Sequence, residues 1–428
     1  MLKLKNPIAA LTSDKQEQKN VVLNGSKTIL RTAYLPMMGG DVAAPFNASI
    51  GMTPTVMAAW GIPGQILTFV MVFVSAAFGD RVTNRIKTYT LLSLCNGLAG
   101  IAALIFLLGP ERFRTLTMVM AINTIVGLLA IAANSFYATV DATVECRIMH
   151  NEIRGRSWSI FGIISGIVGM LVGVYTTFIL AKGGMRFGYA ICSATGILLV
   201  CISAMLVWNL KELPSLQTVQ VKKQPSILAS LKEIAGLKQF WTLMPANFLR
   251  GVGNGFGGYL MLLAFQRIDM PPEYAGYSAI IASGAIFVGY IIIGLTMDRF
   301  GAQWVLPIAE VLMSIGIMGT ILANKPLLFL GALLLYRVME NVEASGVPLV
   351  HYEVVPREVM GAFSAVRLGL LSVTGSFSTL IIGFLLDWTN PVYVFAGCCV
   401  TKLLAGAMYS YGVFSVKRHM KAEAAKNA

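Results

Sequence analysis

Long apolar runs, separated by short polar stretches, recur from residue 28 almost to the end of this chain. About 20 predominantly apolar residues are enough to cross a bilayer as a helix. Twelve stretches reach that length, at 28–50, 54–79, 89–109, 115–140, 157–181, 186–210, 240–265, 276–297, 302–323, 326–350, 362–386 and 391–414. The first is the most interrupted, by Arg31, Asp41 and Asn47. The pattern predicts an all-α integral membrane protein with twelve transmembrane helices.

Composition strengthens this reading. Of 428 residues, 56% are hydrophobic and 12% charged, with a mean hydropathy of +0.72. A soluble domain carries about a quarter charged residues, so this chain has too few to cover a water-facing surface. The 33 Lys and Arg outnumber the 20 Asp and Glu, a net charge of +13. In a soluble protein that excess would suggest nucleic acid; here it fits cytoplasmic loops, which are rich in Lys and Arg. With the N-terminus inside, 22 basic residues fall on inside segments and 6 on outside loops. Both termini are therefore predicted to be cytoplasmic, in a multi-pass protein of the plasma (inner) membrane. The first 27 residues hold five lysines. No apolar core with a small-residue cleavage site follows them, which argues against a signal peptide.

The chemistry of soluble enzymes is missing. There is no Gly-x-x-x-x-Gly-Lys-Ser/Thr, no His-Glu-x-x-His and no Cys-x-x-Cys. The six cysteines sit mostly inside apolar runs and read as small buried hydrophobes. The histidines, His150, His351 and His419, lie near predicted membrane edges. We therefore expect no enzyme, no cofactor, no metal and no nucleic-acid partner. The expected partners are a small-molecule substrate, the lipid bilayer and protons as coupling ion, with the protein a monomer.

The longest polar stretch, 211–238, divides the chain into two six-span halves. The organisation is a cytoplasmic segment 1–27, a half 28–210, a central loop 211–238, a half 239–414 and a tail 415–428. The halves share landmarks. The second span ends Asp80-Arg81-Val-Thr83-Asn-Arg85-Ile-Lys87, and the eighth ends Gly294-Leu-Thr-Met-Asp298-Arg299-Phe-Gly301. Leu30-Arg31 precedes Gly39-Gly40 in span one as Leu249-Arg250 precedes Gly257-Gly258 in span seven. Glu152-Ile-Arg-Gly155 after span four matches Glu358-Val-Met-Gly361 after span ten. Such landmarks imply two parallel six-helix repeats.

At this point the residues resemble the major facilitator superfamily. Gly294, Asp298, Arg299 and Gly301 match its Gly-x-x-x-Asp-Arg-x-Gly signature, and Asp80, Arg81 and Arg85 form a degraded first copy with Ala76 and Thr83 where glycines are usual. The resemblance covers all twelve spans and implies a secondary transporter working by rocker-type alternating access. It also implies that the signature latches the cytoplasmic ends of the halves. Glu145 and Arg147, with Asp141, read as part of that gate. No subfamily signature settles the substrate. Span five lacks a Gly-Pro dipeptide, and Lys211-Glu-Leu-Pro214 replaces the sugar-porter run after span six.

Charges inside spans cost at least about 2.5 kcal/mol each at a helix centre, so they face cavities or partners. Arg31 and Arg250 occupy matching places in the first helix of each half. The resemblance places those helices along the central cavity, where two guanidiniums could face one another and bind carboxylate or phosphate. The alternative is pairing with lipid phosphate or loop carboxylates. Tyr34, Asn134, Tyr137, Asn254, Tyr259 and Asn341 complete a candidate lining, although such groups more often bond helix to helix. Asp41, Glu340 and Glu343 are candidates for a coupling proton. Arg337 and Glu340, three apart, share a helix face and can pair; Arg367 is the candidate partner of Glu343. Glu310 reads as structural, and Lys402 as snorkelling to the interface. The expected function is transport of a small polar solute, an organic anion, by proton symport. Sugar or multidrug transport on the same fold remains open, as does a non-transporting membrane sensor.

Overall fold

The computed structural model describes residues 12–78, 84–110, 115–214, 232, 234–355 and 360–427, and among these there is no strand. The first half holds α1 Lys15–Met38, α2 Gly40–Ser49, α3 Pro54–Phe78, α4 Arg85–Cys95, α5 Leu98–Leu108, α6 Leu116–Ile148 and α7 Asn151–Trp208. The second holds α8 Lys238–Asn254, α9 Leu260–Ile268, α10 Glu273–Phe300, α11 Ala302–Leu322, α12 Pro326–Val354, α13 Met360–Trp388 and α14 Pro391–Asn427.

These runs make twelve spans. Span one is α1 with α2, span three is α4 with α5, and span seven is α8 with α9. Spans five and six are the two arms of α7, broken at Gly184, where φ is 65°. That conformation is easy for glycine and strained for other residues. Among the described residues, six stretches are long and apolar enough on their own to cross a membrane: Thr117–Asn134, Ile160–Trp208, Glu273–Ile293, Gln303–Leu322, Val366–Trp388 and Pro391–Arg418. Several others fall short for visible reasons. Spans one, three and seven are split into shorter helices, and α12 carries Arg337, Glu340 and Glu343 in its middle.

The Gly-Gly landmarks mark equivalent breaks. α1 ends at Gly39, whose N–H returns to the Leu35 carbonyl, and a Cβ there would lie 2.5 Å from that oxygen. In span seven the matching stretch, Gly257–Tyr259, is a single 3-10 turn. The first helix of each repeat is therefore interrupted at the same place.

Two differences from the predicted boundaries have local causes. α1 starts at Lys15, well before the apolar run, because the Asp14 side chain accepts from the N–H groups of Gln16 and Glu17 as an N-cap. The last helix continues through the tail to Asn427. Residues 415–427 are rich in Ala and Lys, which favour helix without needing lipid around them.

Contacts divide the chain into two compact units. One contains residues 1–50, 70–224 and 275–283, and the other 51–69, 225–274 and 284–428. Within the first, α1 lies along α7, and α4 and α5 pack on α6 and α7. Its core joins Val21, Tyr89, Tyr137, Val140, Val144, Ile148, Phe161 and Val207, while Met37 and Met38 pack with Cys192 and Val200. Span five's glycines let neighbours approach: a Cβ on Gly173 would lie 2.5 Å from Ile280, which belongs to the same unit.

Within the second unit, α8 packs on α13 and α14, and α11 on α12 and α14. These are the same relations, span for span, as in the first. Here too small residues permit them. A Cβ on Gly251 would lie 1.8 Å from the Thr374 hydroxyl oxygen, and one on Gly316 2.7 Å from the backbone of Tyr336. Close approach of this kind holds helices together in lipid, where apolar burial gives little net drive.

Candidate substrate and coupling site

The first unit gathers its polar groups around Arg31. On α1, Lys27 and Arg31 are four apart and share a face. Lys27 is only 2% exposed, and its Nζ lies 3.0 Å from Asp141 Oδ1 and 2.6 Å from the Tyr89 hydroxyl. Tyr89 in turn donates to Asp141 and lies 3.2 Å from the Tyr137 hydroxyl. A lone buried ammonium costs several kcal/mol, which this carboxylate and phenol offset. Asp141 is therefore a partner of Lys27, while Arg147 lies 3.5 Å from Glu212.

Arg31 sits one turn further along. Its guanidinium carbon is 4.5 Å from the centroid of the Tyr137 ring, and its Nη2 is 3.5 Å from Oδ1 of the exposed Asn134. Half-buried Tyr34 is close enough to bond the same guanidinium. Among the described residues Arg31 forms no ion pair. Stacking on an aromatic face holds its planar fork without using its N–H groups on a carboxylate. Arg31, Tyr34, Asn134 and Tyr137 are thus brought together.

The second unit treats its matching arginine differently. Arg250, 6% exposed, donates its Nε–H to Glu343, which is 2% exposed. Glu343 also receives Lys402, whose Nζ is 3.2 Å from Oε2, and Lys402 lies 3.6 Å from Glu310 Oε2. Two cations and two carboxylates therefore share one buried pocket between α8, α11, α12 and α14. Three expectations change here. Arg250 is held by a carboxylate and does not stand open as Arg31 does. Glu343, for which Arg367 was the candidate partner, is held by Arg250 and Lys402. Lys402, 0% exposed, turns inward because two carboxylates await it, so it does not snorkel.

The rest of the C-terminal set is spread among helix contacts. Arg337 Nη1 lies 2.8 Å from Glu340 Oε2, and Tyr336 donates to Oε1 of the same carboxylate at 2.7 Å. Asn341 donates to the Arg337 carbonyl at 2.8 Å, and Tyr259 to the Thr379 carbonyl at 2.9 Å. Asn254 is exposed at the end of α8. Asp41 lies in the first turn of α2 and is partly buried, and Arg367 is 9% exposed on α13.

Of the expected gate residues, Asp80 and Arg81 lie outside the described residues. Gly294 and Asp298 fall within α10, with their side chains also outside that description; Arg299 is exposed near its end. Gly301 has φ 76°, joining α10 to α11, which gives a physical reason for glycine at the end of the signature. Arg85 and Lys87 line a cavity of about 420 Å³ with Trp208, Lys211 and Glu212. Glu145 is buried and accepts from Asn24 at 3.0 Å, while Arg147 lies 3.5 Å from Glu212.

Close by, outside the apolar spans, Glu17 forms a clasp. Its carboxylate, 2% exposed, accepts from the His150 N–H at 2.8 Å, from Thr12 at 2.7 Å, and pairs with His150 Nδ1 at 2.9 Å. Burial opposes the charge. The bonds from His150 and Thr12 outweigh it and hold the carboxyl below the usual glutamate range. Neighbouring Asn20 donates to the carbonyls of Ile148 and Lys211, at 3.0 and 2.7 Å.

Sequence reasoning missed Lys27, Tyr89, Glu17 and the central place of Lys402. The i,i+4 spacing of Lys27 and Arg31 was the available signal for the first. For Lys402 the signal was its position well inside the last span.

The sequence model of the Major Facilitator Superfamily matches residues 24–367. The chain belongs to that superfamily. Solved structures agree on the fold. A D-xylose–proton symporter superposes with a TM-score of 0.70 at 14% identity, over 91% of this chain and 96% of that one. A bacterial homologue of the human lysosomal transporter Spinster, inward-facing and unoccupied, gives 0.66 at 15%, over 95% and 98%. The nucleoside transporter NupG gives 0.66 at 10%, over 94% and 99%. No curated protein sequence matches this chain. These identities carry the fold and leave the substrate to the residues themselves.

Proposed function

We propose that this chain is a secondary transporter of the plasma (inner) membrane that carries a small organic anion by alternating access, coupled to protons. The observation that carries the reading is Arg31. Its guanidinium rests on the Tyr137 ring beside the exposed Asn134, and among the described residues no carboxylate pairs with it. A partly buried guanidinium stacked on a ring, with its N–H groups not taken up by a carboxylate, matches a carboxylate or phosphate in charge and in geometry. Tyr34 and Asn134 supply neutral polar contacts that orient the rest of the molecule. In the second half Arg250 is held by Glu343, a carboxylate candidate for the coupling-proton site together with Glu340 and Asp41. Asp298, Arg299 and their first-half counterparts latch the cytoplasmic ends.

The test is a thermal-shift screen of the purified protein against carboxylates, organic phosphates, sugars and drug-like cations. Ligand that binds only the folded state raises apparent stability, by about 2.7 kcal/mol at a hundredfold excess over Kd. Stabilisation by anions that disappears in Arg31→Ala supports the reading. Stabilisation by sugars or cations, with anions inert, replaces it.

A further inference from the structure

Glu310 is the least explained group in the second unit. It lies on α11, 1% exposed, and its Oε2 has no donor within hydrogen-bonding distance among the described residues. Lys402 stands 3.6 Å from that oxygen and 3.2 Å from Glu343 Oε2, so two buried carboxylates share one ammonium. Two ionised carboxylates are acceptors only, so neither can satisfy the other; a proton on one of them supplies the missing donor. A pair that shares one titrating proton behaves as a single site.

The surroundings decide where that proton sits. Glu343 is the better-held anion, with Arg250 on Oε1 and Lys402 3.2 Å from Oε2. Glu310 has the longer approach to Lys402 and the orphaned oxygen. The other groups facing the pocket are Tyr409 on α14, which donates to Asn247, and beyond it His351 on α12 and Arg367 on α13.

We infer that Glu310 and Glu343 form the proton-binding site of this transporter, with the proton held on Glu310. The inference deepens the proton-coupled reading above and rests on it for its role in transport. The charge balance supplies the coupling. Without the proton, Arg250 and Lys402 are matched by two carboxylates and the pocket is neutral. With it, the two cations face one anion, and the half gains one positive charge to attract an anionic substrate. A monovalent anion and one proton then cross together without net charge.

The experiment is infrared difference spectroscopy of the purified protein between acidic and alkaline pH, which needs neither substrate nor transport. The expected result is a carbonyl band of a buried protonated carboxyl that disappears on alkalinisation in the parent and is lost in Glu310→Gln. Glu310→Asp should retain a band at a shifted frequency. Absence of any such band in the parent overturns the inference without calling on a variant to fold. A parent band unchanged in Glu310→Gln or in Glu310→Asp overturns it equally. Because Arg31 is not involved, anion binding can fail its own test while this band persists, and the reverse.

Discussion

Lys402 and Glu343 meet between α14 and α12, with Nζ 3.2 Å from Oε2 and 0% and 2% of their side chains exposed. Each is tolerable in lipid-embedded protein only because of the other and of Arg250. Removing one partner of such a pair leaves an uncompensated charge, at a cost of about 3–5 kcal/mol. Lys402→Met and Arg250→Met should each lower the melting temperature in detergent clearly. Combining Arg250→Met with Glu343→Leu should recover part of that loss, since it removes both charges together. Melts of the three variants check this, and a double variant worse than either single would refute it.

Arg31 is expected to act as a fork as well as a charge. Arg31→Lys keeps the charge and loses the bidentate geometry and the flat contact on Tyr137. Anion binding should weaken in Lys and largely vanish in Ala, by about 1.5–3 kcal/mol for each charged hydrogen bond lost. Titration calorimetry with the best anion from the ligand screen measures both. Equal affinity in parent and Arg31→Lys would argue for a neutral substrate.

The Glu17 clasp should make stability depend on pH. Because its carboxyl is held below the usual glutamate range, its contribution is present above the unfolded value of about 4.3 and lost as pH falls through the folded value. Glu17→Gln should therefore destabilise the protein near neutrality and flatten the acid limb of its stability curve. Parallel melts from neutral to acidic pH would expose a clasp of no consequence as two superimposable profiles.

The latch proposed at the end of α10 predicts a loss of transport without a loss of fold. Asp298→Asn should reduce the uptake rate in proteoliposomes while the melting temperature stays near that of the parent. Normal uptake would reduce the signature to a topological anchor.

Packing between α8 and α13 has no spare room at Gly251, where a Cβ would sit 1.8 Å from the Thr374 hydroxyl oxygen. Gly251→Ala should cost about 1–3 kcal/mol by overpacking. Adding Thr374→Ala should restore most of it, which thermal melts of the single and double variants can score. A Gly251→Ala protein as stable as the parent would mean that the helices separate freely.

The sequence alone was enough for the membrane class, the twelve spans and the two-fold repeat. Hydropathy over about 20 residues reports directly on the thickness of the bilayer, and the paired Arg31/Arg250 and Gly39/Gly257 landmarks lie in register along the chain. It also revealed the Arg337–Glu340 pair, since three residues on one helix are one neighbourhood. What it could not reveal were partners brought together from different helices. Lys27 meets Asp141 across 114 positions, and Arg250 meets Glu343 across 93. Helical spacing is blind to which faces of two distant helices touch; that depends on where glycines such as Gly251 and Gly253 let backbones approach. Only the packed structure decided that Arg31 keeps an open guanidinium while its counterpart Arg250 is taken up by a carboxylate. The reason is physical: a buried charge takes the nearest opposite charge its packing allows, and α12 and α14 bring Glu343 and Lys402 to Arg250, whereas the face beside Arg31 offers a tyrosine ring.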